Sequence, residues 1–416
     1  MFNYRHSSFL KSIFLHSITA FGGQQGHVGM VLKTFVEKRK DLSQEELMEL
    51  VSFSQILPGA SSTQVLMLIG FKKGGLSLAL LTLFIWIFPA CFIMGLFSFY
   101  ISNVGSDNLN TSFFKFIQPM AIGFLFYAAL KAFRISINNL ITFIILFVSF
   151  FILVLFFKTP WIFPVLIVLA GVTTNFSNKR FPSKEDVTVK HIRWSNLWLF
   201  VFIFVVSGFL SETARKNDWQ NRKVYNLFEN FYRFGSIVFG GADVLIPLMV
   251  DQYVARPTSP KFAETKQRII SIEKNELLTG AGFVRAIPGP VFSIASYTGG
   301  IALKDQGKLQ QLLGCIIGSV AIFLPSALLI LFFFPVWEYF KKYIVVVRSL
   351  EGINAVVVAL MFAATVYLLK DFPFASFTFI NMLNIAVILS TVLMLSFIKL
   401  PPPFIVIFCL ILGIIF

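Results

Sequence analysis

The residues that could do chemistry in this chain gather at two helix breaks. In the first, Pro58-Gly59 interrupts an uncharged apolar run and is followed at once by Ser61, Ser62, Thr63 and Gln64. A break of this kind at membrane depth leaves backbone N–H and C=O groups unpaired. Lipid tolerates that only where protein buries them or they line a polar cavity. The residues after the break would open a new half-helix, whose free N–H groups and positive dipole end suit an anion, with the hydroxyls as extra donors. The motif returns as Pro288-Gly289-Pro290 with Ser293 beyond it. Gln55 and Arg285 stand at matching places before each proline. An arginine there could hold an anionic substrate with its planar fork of donors. Alternatively it lies near the segment's end and snorkels, or pairs with Glu276 or Asp243. One such break reads equally well as a kink; two at matched places point to a binding site between repeats.

A second pair of markers precedes the breaks. Phe21-Gly22-Gly23, with Gly26 and His27 after it, is matched by Phe239-Gly240-Gly241 with Asp243. Glycines this dense weaken a helix and permit close backbone approach, which fits packing or gating elements. His27 could shuttle a proton or simply donate a hydrogen bond to backbone. The sequence carries no serine-histidine-aspartate elbow, phosphate-binding loop or acidic metal cluster, so an enzyme is not expected, nor any cofactor or metal. Cys91, Cys315 and Cys409 all lie in apolar spans without pairing or metal spacing, so no disulfide framework is expected.

The elements that must position these residues are membrane helices. Of 416 residues, 56% are hydrophobic and 13% charged, with mean hydropathy +0.79. Soluble domains carry about 25% charged residues. Several uncharged windows reach the ~20 residues that cross a bilayer. The fold class expected is an all-α polytopic membrane protein built of two homologous inverted repeats with Pro-Gly-broken helices that either span or re-enter. Clear spans are read at 76–101, 116–133, 140–157 and 161–176, and an extra one at 196–210, followed by a polar loop over 211–225. Charged connectors are read at 33–49 and 256–276. The domain division expected is a first repeat over 1–176, a basic linker plus extra helix over 177–225, and a second repeat over 226–416. Basic residues crowd opposite turns in the two halves, which under the positive-inside rule implies opposite orientation. The net charge of +15 sits in short loops, where anionic lipid headgroups explain it better than nucleic acid does. No removable signal peptide is expected.

At these residues the chain resembles the chromate ion transporter family in its long two-domain form. The resemblance rests on Phe21-Gly22-Gly23 with Gly26-His27 and Met30, on Leu57-Pro58-Gly59 with Gln64 and Gly70, on Phe239-Gly240-Gly241 with Pro247, and on Pro288-Gly289-Pro290 with Gly299-Gly300. It implies a multi-pass protein of the plasma (inner) membrane that exports chromate, with sulfate as the close analogue. The expected substrate-binding residues are Gln55, Pro58, Gly59, Ser61, Ser62, Thr63, Gln64, Arg285, Pro288, Gly289, Pro290 and Ser293. A carrier of the same fold for another anion or a cation, and a membrane protein without transport, are the alternatives. The reading leaves a homodimer open.

Overall fold

The computed structural model describes residues 4–21, 23–104, 114–157, 162–175, 194–238, 244–258, 269–334, 344–370, 379–398 and 400–415. They are almost wholly helical, with no strand among the described residues. Among the described residues, six helical stretches are long and apolar enough to cross a membrane: Ser61–Asn103, Ile117–Ser136, Ser195–Lys216, Lys308–Phe333, Glu351–Leu369 and Phe379–Ile398. Three shorter apolar helices accompany them.

The first half begins with α1 (Tyr4–Thr19) and α2 (Gly23–Val31), and α2 runs on into π-helical turns over Leu32–Lys38. The charged connector expected over 33–49 is therefore mostly helix. Ser43 and Glu46 form a capping box that starts α3 (Gln44–Ile56), closing two orphan N–H groups reciprocally. The half then continues through α4 (Ser61–Val104), α5 (Ile117–Ser136), α6 (Leu140–Phe156) and α7 (Ile162–Asn175).

The Pro-Gly segments are helical hairpins. The helix α4 is broken at Gly74 and Gly75, the latter at φ +69°, into a short arm, 61–73, and a long arm, 76–104. Lys72, late in the short arm, meets Glu46, early in α3, at 2.7 Å. The chain thus leaves the hairpin beside where it entered. The second half repeats this: α8 (Ser195–Lys216), α9 (Arg222–Ile237) and α10 (Leu245–Val250) lead through π-helical turns at Asp251–Ala255 to α11 (Lys274–Phe283) and α12 (Ile294–Leu303). Lys304 pairs with Glu276 across the hairpin's open end, and Gly307, at φ +100°, turns the chain into α13 (Lys308–Phe333). Arms of 10–13 residues reach about 15–20 Å at 1.5 Å per residue, short of a ~30 Å hydrocarbon core. None of these arms could cross such a core alone. Helices α14 (Ile344–Leu369), α15 (Phe379–Leu393) and α16 (Pro402–Ile415) complete the chain.

Two sequence expectations shift here. The extra helix runs past residue 210 to Lys216, where Glu212 pairs with Arg215 and Lys216 at helical spacing, and α9 begins at Arg222. Such i,i+3 and i,i+4 ion pairs let a charged stretch stay helical, so the polar loop expected over 211–225 shrinks to 217–221.

The halves interlock instead of lying side by side. Helix α11 packs on α5, α12 on the long arm of α4, and α14 on α5, α6 and α7. Across this seam Phe283 stacks on Phe97 at 3.9 Å and Ser296 donates to the Cys91 carbonyl at 2.9 Å. Lipid gives helices no hydrophobic drive to associate, so small residues at contacts matter. At Gly299 and Gly314 the backbones of α12 and α13 touch, and a Cβ on either would lie 2.1 Å from the other's carbonyl oxygen.

Candidate functional site

The two hairpin turns are held by the opposite half, and in the same way. In the first turn Gly59, at φ +115°, donates its N–H to the Val238 carbonyl at 2.7 Å. In the second, Gly289, at φ +106°, donates to the Ala20 carbonyl at 2.9 Å. Ala20 and Val238 are the residues just before the two Phe-Gly-Gly elements. Each glycine also sits on the residue after the proline of the other half's long helix. A Cβ at Gly59 would lie 1.7 Å from Ser326 Oγ, and one at Gly289 would lie 2.8 Å from Ala90 Cβ. Only glycine fits either place, since both φ values are strained for side chains.

Ser326 does more than make room. It accepts from the Ala60 N–H at 3.3 Å and from Gln64 Nε2 at 3.4 Å, and the same Nε2 donates to the Pro58 carbonyl at 2.7 Å. The break's carbonyls and amides are therefore largely satisfied inside protein, as a lipid-embedded chain requires.

A cavity of about 1000 Å³ opens between the hairpins. Ser61, Phe21, Arg285 and Gly289 line it, joined by Thr19, Tyr127, Lys131 and Asn354. Its described lining includes two cations and no carboxylate. Ser61 is the first residue of the short arm of α4, so a helix N-terminus opens here, where partial positive charge collects. The Arg285 guanidinium rests over the Phe124 ring at 5.6 Å, while Glu276 pairs with Lys304. The structure thus brings Ser61, Arg285 and Gly289 to one space.

Other expected residues face elsewhere. Ser62 Oγ lies 3.1 Å from His27 Nδ1, and Thr63 Oγ1 accepts from Trp86 Nε1 at 3.0 Å. Gln64 and Ser293 are fully buried, and Gln64 Oε1 and Ser293 Oγ make no hydrogen bond. In the second half a 3₁₀ turn over Val291–Ser293 precedes α12, and Val291, not Ser293, lines the cavity. Pro58 and Pro288 are half-buried and Pro290 is buried. Gly23 and Gly26 lie in α2. Gly22, Phe239, Gly240, Gly241, Asp243 and the Gln55 side chain lie outside the described residues.

Lys131, Asn354 and Tyr127 line the cavity although none of them was among the expected site residues. A signal for them exists. Phe124, Tyr127, Ala128, Lys131, Ala132 and Ile135 recur at spacings of three and four along α5 and all line the cavity, which puts them on one helix face. Asn354, Val357, Val358 and Met361 do the same on α14.

An interlocked helical bundle with six described helices long enough to cross a membrane, and two Pro-Gly hairpins at a cavity that carries two cations, fits a multi-pass membrane transport protein. The chromate transporter family matches residues 8–175 and 225–414, and the chain belongs to that family. It is similar to an uncharacterized transporter of Methanocaldococcus jannaschii, 22% identical over 368 residues, covering 86% of this chain and 82% of that protein. No solved structure matches the chain.

Proposed function

We propose that the protein is a secondary transporter of the plasma membrane that exports chromate or a related tetrahedral oxyanion such as sulfate. The observation that carries this reading is the cavity where Arg285, Lys131 and the helix start at Ser61 converge without a carboxylate in the described lining. A divalent oxyanion would sit against the Ser61 end of the half-helix, with Arg285 offering paired donors and Lys131 a point charge. The Phe-Gly-Gly elements would serve as close-packed hinges between the halves.

Alternating access between inverted halves is the mechanism proposed. Its support is reciprocity: Gly59 reaches Val238 while Gly289 reaches Ala20. A two-fold relation between halves demands such paired contacts. The cation alternative is weakened because the Pro58, Ala20 and Val238 carbonyls already accept hydrogen bonds.

The test is uptake of radiolabelled chromate by proteoliposomes, with sulfate as competitor. Protein-dependent accumulation that sulfate blocks is expected. Arg285→Ala is expected to weaken it about 10- to 100-fold, the equivalent of losing one hydrogen bond to a charged group. Unchanged transport by folded Arg285→Ala, or transport of cations instead, overturns the reading.

A further inference from the structure

The helices sort into two bodies, and each body mixes the two halves. One gathers α1 to α4 with α8 to α13: α1 and α12 lie on α4, and α8, α9 and α12 lie on α13. The other gathers α5, α6 and α7 with α14, α15 and α16, where α14 lies on α6 and α7 and α15 on α5. Inside each body backbones touch at glycine. A Cβ at Gly318 would lie 2.0 Å from the Ala295 carbonyl oxygen, and one at Gly352 would lie 2.2 Å from that of Ala170. Such close approach holds helices together where lipid offers no hydrophobic drive. The cavity lies between the bodies, and there the two hairpins differ. Helix α11 of the second packs on α5 of the opposing body, whereas α3 of the first packs on α4 and the π-helical turns beside it.

We propose that the structure is the cytoplasm-open member of a pair of transport states, with α11 seated on α5 as the closed outer gate and Lys274 as its latch; the proposal rests on the transport reading above. The lining of the cavity shows where the second route runs. On α5 the lined face continues from Phe124 at helical spacing to Met120 and Ile117, and on α14 from Met361 to Thr365 and Leu368. All four of these continuing residues are buried. Gly282 of α11 covers the α5 pair: a Cβ there would lie 2.5 Å from Ile117 Cγ2 and 3.1 Å from Met120 Cε. Lys274, the first residue of α11, donates to the Leu368 carbonyl at 2.9 Å. That carbonyl belongs to the last turn of α14, where a helix leaves carbonyls unpaired and favours a cation. The matching end of α5 is closed locally, by Asn138 on the Ile135 carbonyl, and the cavity runs out along Lys131, Ile135 and Ser136. Lys131 and Arg134 mark that end as cytoplasmic under the positive-inside rule.

Inverted repeats turn this asymmetry into a mechanism. The opposite state exchanges the hairpins' roles, so that α3 closes on α14 while α11 leaves α5. Matching the two spans at their starts, Ile117 and Glu351, sets Thr365 in the place of Lys131. Thr365 then lines the outer route as Lys131 lines the inner one. The contact that must break is looser than those inside the bodies. The Ile117 carbonyl oxygen stands 3.2 Å from the Cβ position of Gly282, against 2.0 and 2.2 Å for the carbonyls met at Gly318 and Gly352. The bodies can therefore rock as rigid units without either being dismantled.

Thiol labelling tests the gate without any substrate. Thr365→Cys is expected to react with a membrane-impermeant maleimide from outside the cell, and Ser136→Cys from the cytoplasmic face alone. Lys274→Ala is expected to speed Thr365→Cys labelling about tenfold, by removing one hydrogen bond that favours the closed gate. Ile117→Cys with Gly282→Cys sets two thiols within disulfide reach. Oxidation of that pair is expected to stop radiolabelled sulfate flux in proteoliposomes, and reductant to restore it. No Thr365→Cys labelling from outside, or a rate that Lys274→Ala leaves unchanged, overturns the gate. So does a folded pair that does not cross-link, or full flux through the cross-linked protein. Labelling as expected in a protein that moves no oxyanion counts against the transport reading alone.

Discussion

Gly59 illustrates how single residues set the geometry of the break. Its positive φ alone would cost an alanine about 1–2 kcal/mol, and its Cβ would strike Ser326 Oγ at 1.7 Å. Gly59→Ala should therefore lower stability by roughly 2–5 kcal/mol, strain and overpacking together. Adding Ser326→Ala should return the overpacking share and leave the strain, a coupling that thermal unfolding of the four proteins of the cycle would read. A double variant no more stable than Gly59→Ala would show the contact is not the cause. Proline, glycine and the hydroxyls after them were legible because their spacing is local. The role of Ser326 was not legible, because its contact with Ala60 joins residues 266 positions apart. The destinations of Ser62 and Thr63, toward His27 and Trp86 rather than the cavity, depend on the rotation of the half-helix, which no spacing reveals.

At the scale of elements, the two hairpins close with the same ion pair in different surroundings. Lys72 and Glu46 are 37% and 42% exposed, whereas Glu276 is 1% exposed against Lys304. Exposed pairs contribute about 0–1 kcal/mol, while stripping the partner from a buried charge costs about 3–5 kcal/mol. Lys72→Ala should thus be nearly silent at neutral pH and Lys304→Ala strongly destabilising. Their acid responses should oppose each other. The hydrogen bond from Lys72 holds the Glu46 carboxyl below its ordinary 4.5, so its contribution is present above 4.5 and lost as pH falls through the lower folded value. Burial raises Glu276, so its folded state takes up a proton first and Lys304→Ala should regain stability as pH falls. Chemical unfolding at neutral and acid pH checks both signs. These hairpins were half legible: the breaks and the charged flanks stood in the sequence, but the closure of the hairpin required seeing Glu46 beside Lys72. The capping box at Ser43 and Glu46 was readable too, and it marks where the connector ends.

For the whole molecule the open structural proposition is that the halves are inverted. The buried state of Cys91, Cys315 and Cys409 leaves a quiet background for labelling introduced thiols. Ser43 and Glu273 precede the matching arms of the two hairpins, and both are exposed. In sealed vesicles, Ser43→Cys and Glu273→Cys should react with a membrane-impermeant maleimide from opposite faces; reaction from one face would sink the inversion. Duplication was legible in the sequence because paired markers recur in one order, while the interlocking of the halves was not, because it is carried by contacts such as Phe97 on Phe283. That interlocking also imposes a timetable on biogenesis. Ala60 cannot meet Ser326 until 266 further residues have been made, a wait of roughly 10–50 s at ~5–20 residues per second. During that interval the first hairpin sits in the bilayer, or in the insertion machinery, with the donors of its broken backbone unmet, so the early chain must be sheltered until its other half arrives.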